Sequence, residues 1–559
     1  MLLEELINLH DRKEEEIGPL YHREDQISWI IQITKDGEFQ QLIETSGDQG
    51  KHMTDYRANR VRTVNVAPYL IVDKPYYVLG LNLDRFDDEG KVEERHQAYL
   101  DLIGDCSKET GNPYIKAVEG FLTQHLEKTR EDGEFNELDS EDMLTFRVED
   151  KLVHQLEEVQ NYWIERQEKR SSADNDLEAD CMLCGEHKPI AKRHPVGSQL
   201  GQAGLITANE NAFESYGLNN SEIAPLCQKC ALKYGRTLRY LFSSDNYHLW
   251  IGGVTFAYWT AEPTNFDLMN LLQEPDTQEV ENLLETPLTG REEQKELDNK
   301  FYALLATTNK SRLVIRDWLE TTIGEVKQKL TQFFKNQRIV NNSGELGRPL
   351  SVYSLAGSLV RDFDDLSPNV IPALINNALK GVNLPDWILN QAIKRARADT
   401  DNRMTRPRAA IIKMVLNQKA NQSEARRMEE KLDLQNDKPA YLCGRLLGVL
   451  EDIQEAAQPG INSTIVDRFY GTASSSPVSV FGNLLRKSQN HLSKLRNTNE
   501  GAHHALQEEL EEVLSKLDGF PKTLSYEEQG QFSLGYYHQR AKSRSEAIKH
   551  AKEKQEQTS

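Results

Sequence analysis

The sequence predicts an α+β fold: an N-terminal mixed α/β region, 1–345, with an inserted cysteine-tied segment, followed by an all-α C-terminal helical bundle, 346–559. Three observations carry this reading. Short segments before residue 260 alternate apolar and polar side chains, the period of a half-buried strand. Two Cys-x-x-Cys pairs lie in the same region. From about residue 345 apolar residues recur at helical spacing to the end, with no convincing strand.

The elements follow in order. Residues 1–10 suit a short helix with Leu2, Leu3, Leu6 and Leu9 on one side. Ile27, Trp29, Ile31 and Ile33 alternate, Asp36-Gly37 can turn the chain, and Phe39 to Ile43 returns it as a β-hairpin. Residues 45–65 read as a polar loop, 68–73 and 76–80 as strands, and 91–128 as helical. A second hairpin is expected at 247–259 around Gly252-Gly253. The acidic stretch 271–300 reads as a solvated loop or linker, and the tail 541–559 as a frayed helix or disordered.

The 559 residues are 38% hydrophobic and 28% charged, with no apolar run of the ~18–20 residues a spanning helix needs, so a membrane protein is excluded. Met1-Leu2-Leu3-Glu4-Glu5 is no secretory signal, and a cytoplasmic location is the expectation. The net charge of −21 argues at first against nucleic acid, but it is uneven. Segments 131–150, 271–300 and 500–519 carry −8, −6 and −5, whereas 391–427 carries +7 and 481–497 carries +4. Local charge, rather than the total, selects partners.

Cys181, Cys184, Cys227 and Cys230 form two knuckles separated by 42 residues. A two-residue gap lets both thiolates of a knuckle reach one ion, and four thiolates close a tetrahedral shell around a structural Zn²⁺. The expectation is therefore a zinc-knuckle insertion, about 181–230. Iron–sulfur ligation, or His187 or His194 replacing a thiolate, are the alternatives. Cys106 and Cys443 stand alone.

Arg57, Asn59, Arg60, Arg62 and Asn65 share the loop at about 51–65, and Arg and Asn are side chains that read base edges bidentately. In the bundle, Lys394, Arg395, Arg397, Arg403, Arg406, Arg408 and Lys413 crowd one stretch, and Arg468, Arg486, Lys487, Lys494 and Arg496 form a second group. Basic helix faces suit phosphate tracking without sequence reading. No phosphate-cradling glycine loop and no Gly-x-Ser-x-Gly elbow occurs. Arg486 and His491 fit the loose Arg-x4-His pattern of helical HEPN ribonucleases, which makes such an RNase, of a toxin or abortive-infection system, the alternative function.

Several segments together resemble the large subunit of the type I-C CRISPR surveillance complex (Cascade). They include Cys181-x-x-Cys184-Gly185-Glu186, Asn211 to Gly217, Ala440 to Leu446, Asn462 to Tyr470, Ala473 to Pro477, His491 to Arg496, Glu528 to Phe532 and Gly535 to Arg540. Pro68-Tyr69-Leu70, Asp73 and Tyr77 to Gly80 add the N-terminal half. The full cysteine quartet departs from the family pattern, so the zinc expectation rests on spacing alone.

The resemblance implies a non-catalytic, RNA-guided, DNA-binding subunit of an antiviral defense complex. The N-terminal domain would recognise the protospacer-adjacent motif (PAM) and help unwind the duplex. The bundle would hold the displaced strand. Base pairing with the guide reads the target sequence, so the protein needs only a short-motif reader and backbone grips. The motif loop would be Arg57, Asn59, Arg60, Arg62 and Asn65; the strand-holding residues would be Lys394, Arg395, Arg397, Arg406, Arg408, Arg468, Arg486, Lys487, Lys494 and Arg496. Implied partners are the target duplex and displaced strand, the crRNA, the Cascade backbone and small subunits, and a nuclease-helicase recruited in trans, with no membrane. The family also commonly makes a small subunit from an internal start, for which Met404, Met414 and Met428 are placed.

Overall fold

The computed structural model describes all residues except 47–51, 60–65, 84–88, 174–177, 192–193, 195–203, 207–217, 219, 245, 252, 286–290, 310–311, 401–402, 424–425 and 559. The chain forms two compact units: Met1–Ser243 with Thr308–Val314, and Ser244–Thr307 with Ile315–Ser559.

In the first unit a helix covers Leu2–Arg12, burying Leu6 and Leu9. Strands β1 (His22–Ile27), β2 (Trp29–Ile33), β3 (Phe39–Glu44) and β4 (Met53–Ala58) follow. β2 and β3 form the expected hairpin, with Gly37 at φ +81°, a conformation the glycine allows without a Cβ penalty. β5 (Leu144–Val148) joins β2 in parallel, with Ile31 opposite Phe146, and β6 (Lys151–Leu152) closes a sheet of order β3-β2-β5-β6. The parallel pairing needs a long crossover; the helices Glu89–Thr110 and Pro113–Gly120 supply much of it.

Two local expectations are corrected. Part of the polar loop is a strand, because β4 pairs antiparallel with β1 from Ile27↔Met53 to His22↔Ala58. The runs 68–73 and 76–80 are not strands. Asp73 Oδ2 accepts from the Tyr69 N–H at 2.7 Å and folds the chain back, Ile71 takes φ +65°, and Pro75 opens the short helix Pro75–Val78. Their apolar side chains are core all the same: Ile71, Val72, Val78 and Leu79 are fully buried.

The second unit opens with β9 (His248–Ile251) and β10 (Val254–Thr260), the expected hairpin, with Gly253 at φ +77°; β7 (Glu178–Asp180) and β8 (His187–Pro189) belong to the first unit. β11 (Lys300–Asn309) and β12 (Arg312–Thr322) extend this sheet to the order β12-β11-β10-β9. The acidic stretch is not a solvated loop. Helices occupy Thr277–Glu285 and Arg291–Asp298, and Leu271, Leu272, Val280 and Leu297 are buried, while Glu279, Glu281 and Asp298 are exposed on the outer faces of amphipathic turns.

One apolar cluster runs from Leu249 through Phe301, Phe333, Ile375, Ile411 and Leu534 to Ala541. The exposed stretch around residue 345 therefore joins Val340 to Leu350 of one continuous core, shared by the sheet and the helices that follow. A separate cluster surrounds the helix Pro439–Ala457, buried on nearly every side. Ile465–Ala473, Phe481–Thr498, Glu500–Ser515 and the long Tyr526–Thr558 pack around it. That last helix continues through the tail expected to fray. No strand follows residue 345 among the described residues.

A candidate metal centre and candidate nucleic-acid surfaces

Cys181 lies at the end of β7, where the turn Met182–Cys184 and Gly185, at φ +72°, bring the chain back into β8. The Gly185 N–H donates to Cys181 O at 2.9 Å, and the Cys181 N–H donates to Glu186 O at 3.0 Å, so the first knuckle is closed by its own backbone. Cys227 and Cys230 stand at the start of the helix Gln228–Ser243. The bridge Ile190↔Cys227 and a 3.3 Å bond from the Cys227 N–H to Cys181 Sγ join the knuckles.

The four sulfurs lie within 4.8 Å of one another, with Cys184 exposed and the others buried. Cys184 Sγ and Cys227 Sγ are 3.9 Å apart. A tetrahedral site with ~2.3 Å metal–sulfur bonds has sulfur–sulfur edges of about 3.8 Å, so the cluster fits a four-thiolate ion. A hydrogen bond between Cys230 and Cys227 is the leading effect that lowers the Cys227 thiol and raises that of Cys230. Neither histidine alternative joins the cluster. His187 Nδ1 is 2.9 Å from Asp180 Oδ1, and His194 places Nδ1 3.0 Å from Tyr234 Oη and Nε2 3.1 Å from Ala224 O. His194 thereby ties the segment before Cys227 to the helix after it.

Sequence reasoning missed Arg236. Its guanidinium donates to the carbonyls of Pro19, His22 and Ile17 at 2.6–2.7 Å, anchoring the cysteine-bearing helix to the N-terminal segment. Its position, two turns after Cys230, gave no chemical signal. Cys106 and Cys443 are buried among apolar side chains, and burial pushes both thiols up to about 12, which leaves them unreactive.

Of the five motif-loop candidates, Arg60, Arg62 and Asn65 lie outside the described residues. Arg57 is 3% exposed in β4. It pairs with Asp25 at 2.6–2.8 Å and its guanidinium lies 4.2 Å from the Tyr69 ring centre. Burial alone would raise the Asp25 carboxyl, but the bonds from Arg57 and Arg23 outweigh it and hold it below its usual range. The Asn59 N–H donates to Tyr21 O at 2.7 Å, and the Ala67 N–H to Tyr77 Oη at 3.1 Å. Both ends of the 60–65 segment are thus pinned, and Arg57 is spent on the pinning.

The bundle candidates divide by exposure. Arg408 is 3% exposed and bonds Asp399, Ser358 O and Arg403 O. Arg395 also pairs with Asp399, and Arg406 bonds the carbonyls of Ile339 and Arg348. Arg408 and Arg406 tie their helix to neighbouring segments, and Arg395 closes the end of its own helix on Asp399. Lys394, Arg397, Arg468, Arg486, Lys487, Lys494 and Arg496 are exposed. Lys494 also caps the carbonyl of Ala457 at 2.7 Å. His491 faces the cavity that Lys487, four residues back, also lines, whereas Arg486 bonds Asn483 and does not line it.

No helix among the described residues is long and apolar enough to cross a membrane. A family model described as CRISPR-associated protein (Cas_Csd1) matches residues 3–544. No curated protein matches the chain.

Proposed function

The chain belongs to the CRISPR-associated Csd1 family, as a large subunit of a Cascade complex, and from that premise we propose that it is the non-catalytic subunit that reads the protospacer-adjacent motif and holds the displaced DNA strand. The observation that carries this reading is a family match that spans both units. In support, Arg60, Arg62 and Asn65 lie in sequence between Asn59, held by Tyr21 O, and Ala67, held by Tyr77 Oη. Exposed Lys and Arg gather on three bundle helices in a chain of net charge −21, a local reversal suited to phosphate. The four cysteines are read as a structural Zn²⁺ site that ties the segment 181–230. The crRNA, the other Cascade subunits and a recruited nuclease-helicase are the expected partners, in the cytoplasm.

The test is a reconstituted guide-RNA particle challenged with target duplex. Changing Arg60 and Arg62 to Ala should weaken capture of motif-bearing duplex by roughly ten-fold or more while leaving particle assembly intact. Reversing Arg486, Lys487 and Arg496 to Glu should weaken R-loop formation, most at low salt, while preserving motif discrimination. A particle unaffected by both sets would overturn the reading.

A further inference from the structure

Three helix faces in the second unit enclose a cavity of about 250 Å³. Leu450 comes from Pro439–Ala457, Arg468 and Phe469 from Ile465–Ala473, and Leu484, Lys487 and His491 from one face of Phe481–Thr498. The floor is apolar, with Leu450 and Leu484 each 2% exposed. The rim is cationic, with Arg468 and Lys487 exposed and His491 half-buried beside them.

Among the described residues no carboxylate pairs with Arg468 or Lys487, although many cations of this acidic chain have one. Lys487 Nζ instead lies 6.0 Å from the centre of the Phe469 ring. Most of the other polar groups of the wall are already used, Gln454 Oε1 accepting from the Ile465 N–H at 2.7 Å, while the exposed Ser463 hydroxyl and the Gln454 amide nitrogen add neutral polar atoms. Thr464 and Asp467 close a capping box on the helix Ile465–Ala473, and the Ser488 hydroxyl donates to Leu485 O at 2.8 Å. The charged and aromatic groups that can meet a ligand are two cations, an imidazole and an aromatic ring above an apolar floor.

That set fits a ligand anionic at one end and flat and apolar at the other. The volume falls below the roughly 300–1,000 Å³ of ordinary small-molecule sites, which suits one base with its phosphates left at the mouth. We propose that the cavity takes one extruded nucleotide of single-stranded DNA, its base against Phe469 and its flanking phosphates on Arg468 and Lys487. The proposal rests on the strand-holding reading and deepens it: the bundle grips the displaced strand at a base as well as by backbone charge.

The experiment uses the full-length chain and fluorescence anisotropy. The probes are an oligothymidylate, the same backbone with abasic residues, an oligouridylate and free thymidine monophosphate. The base-bearing DNA should bind at least about fivefold tighter than the abasic strand. Phe469→Leu should erase that preference, and Lys487→Gln should weaken both strands. Equal binding of abasic and base-bearing DNA by the wild-type chain overturns the cavity assignment, and it needs no variant to fold. Binding of the oligouridylate alone, or full competition by the mononucleotide at the same nucleotide concentration, overturns it too. Reversal of Arg486 and Arg496, outside the cavity, separates the two ideas. If that reversal weakens strand binding while the base makes no difference, the cavity falls and strand holding stands. If it has no effect while the base preference persists, strand holding by exposed charge falls and the cavity stands.

Discussion

At the scale of single residues, identical side chains do different work according to what surrounds them. Arg57 and Arg408 are each 3% exposed and hold carboxylates, whereas Arg468 and Arg496 are exposed. Arg57→Ala should therefore act on stability, by about 1–2 kcal/mol because Asp25 keeps its bond from Arg23 and is partly exposed, and be read by urea unfolding. Each of Cys181, Cys184, Cys227 and Cys230 changed to Ser should release one metal ion per chain, measured by elemental analysis, and open 181–230 to protease. His538 supplies a pH prediction. It is 1% exposed, its Nδ1 lies 3.0 Å from Tyr441 Oη, and burial followed by the charge of Lys413 lowers it to about 3. The folded state keeps it neutral while the unfolded chain protonates below about 6.5, so stability falls as pH drops from there toward 3. From pH 6.5 to 5 the share of this one group should reach about 2 kcal/mol, and His538→Gln, which can still bond Tyr441, should remove that share while His10 and His22, also lowered by burial, keep theirs.

At the scale of elements, the helices Pro439–Ala457 and Tyr526–Thr558 meet backbone to backbone at Gly444 and Gly535. A Cβ on Gly444 would collide with the Phe532 carbonyl oxygen, and one on Gly535 with that of Tyr441. Helix backbones do not yield as side chains do, so Gly444→Ala or Gly535→Ala should cost about 3 kcal/mol or more, read as a lowered Tm. Gly482 has open space and is the control. The same crossing explains why distant sequence blocks belong together: Tyr470 packs edge-on against Phe532 and Tyr536, and its hydroxyl donates to Ser533 at 3.0 Å.

At the scale of the whole chain, a core running from Leu249 to Ala541 makes the second sheet part of the helical unit. A fragment 346–559 would lay bare the partners of Phe333, Phe334 and the β10–β11 strands, so it should bind a hydrophobic dye and aggregate. A fragment 244–559 keeps that core intact and should unfold in one cooperative transition. A fragment from Met404 retains nearly all of the cluster around Pro439–Ala457 but exposes Ile411, Ile412 and Val415, so its solubility should depend on a partner covering that helix.

The sequence by itself determined the two hairpins, the helical C-terminal half and the cysteine quartet, because each is written in local spacing: period two, a tight glycine turn, period 3.6, or two knuckles; the family followed from the resemblance of whole segments such as Ala440 to Leu446 and Gly535 to Arg540. Only the tertiary structure decided the rest. Phe301 to Ala306 is buried at every position, so β11 has no alternation to read, and its pairing with β10 depends on residues some 45 positions away. The 68–80 run has strand-like side chains, yet Asp73 and Pro75 turn its backbone away from a ladder. Which arginines face solvent follows from where a carboxylate such as Asp25 or Asp399 comes to rest, and the order of residues along the chain does not contain that distance.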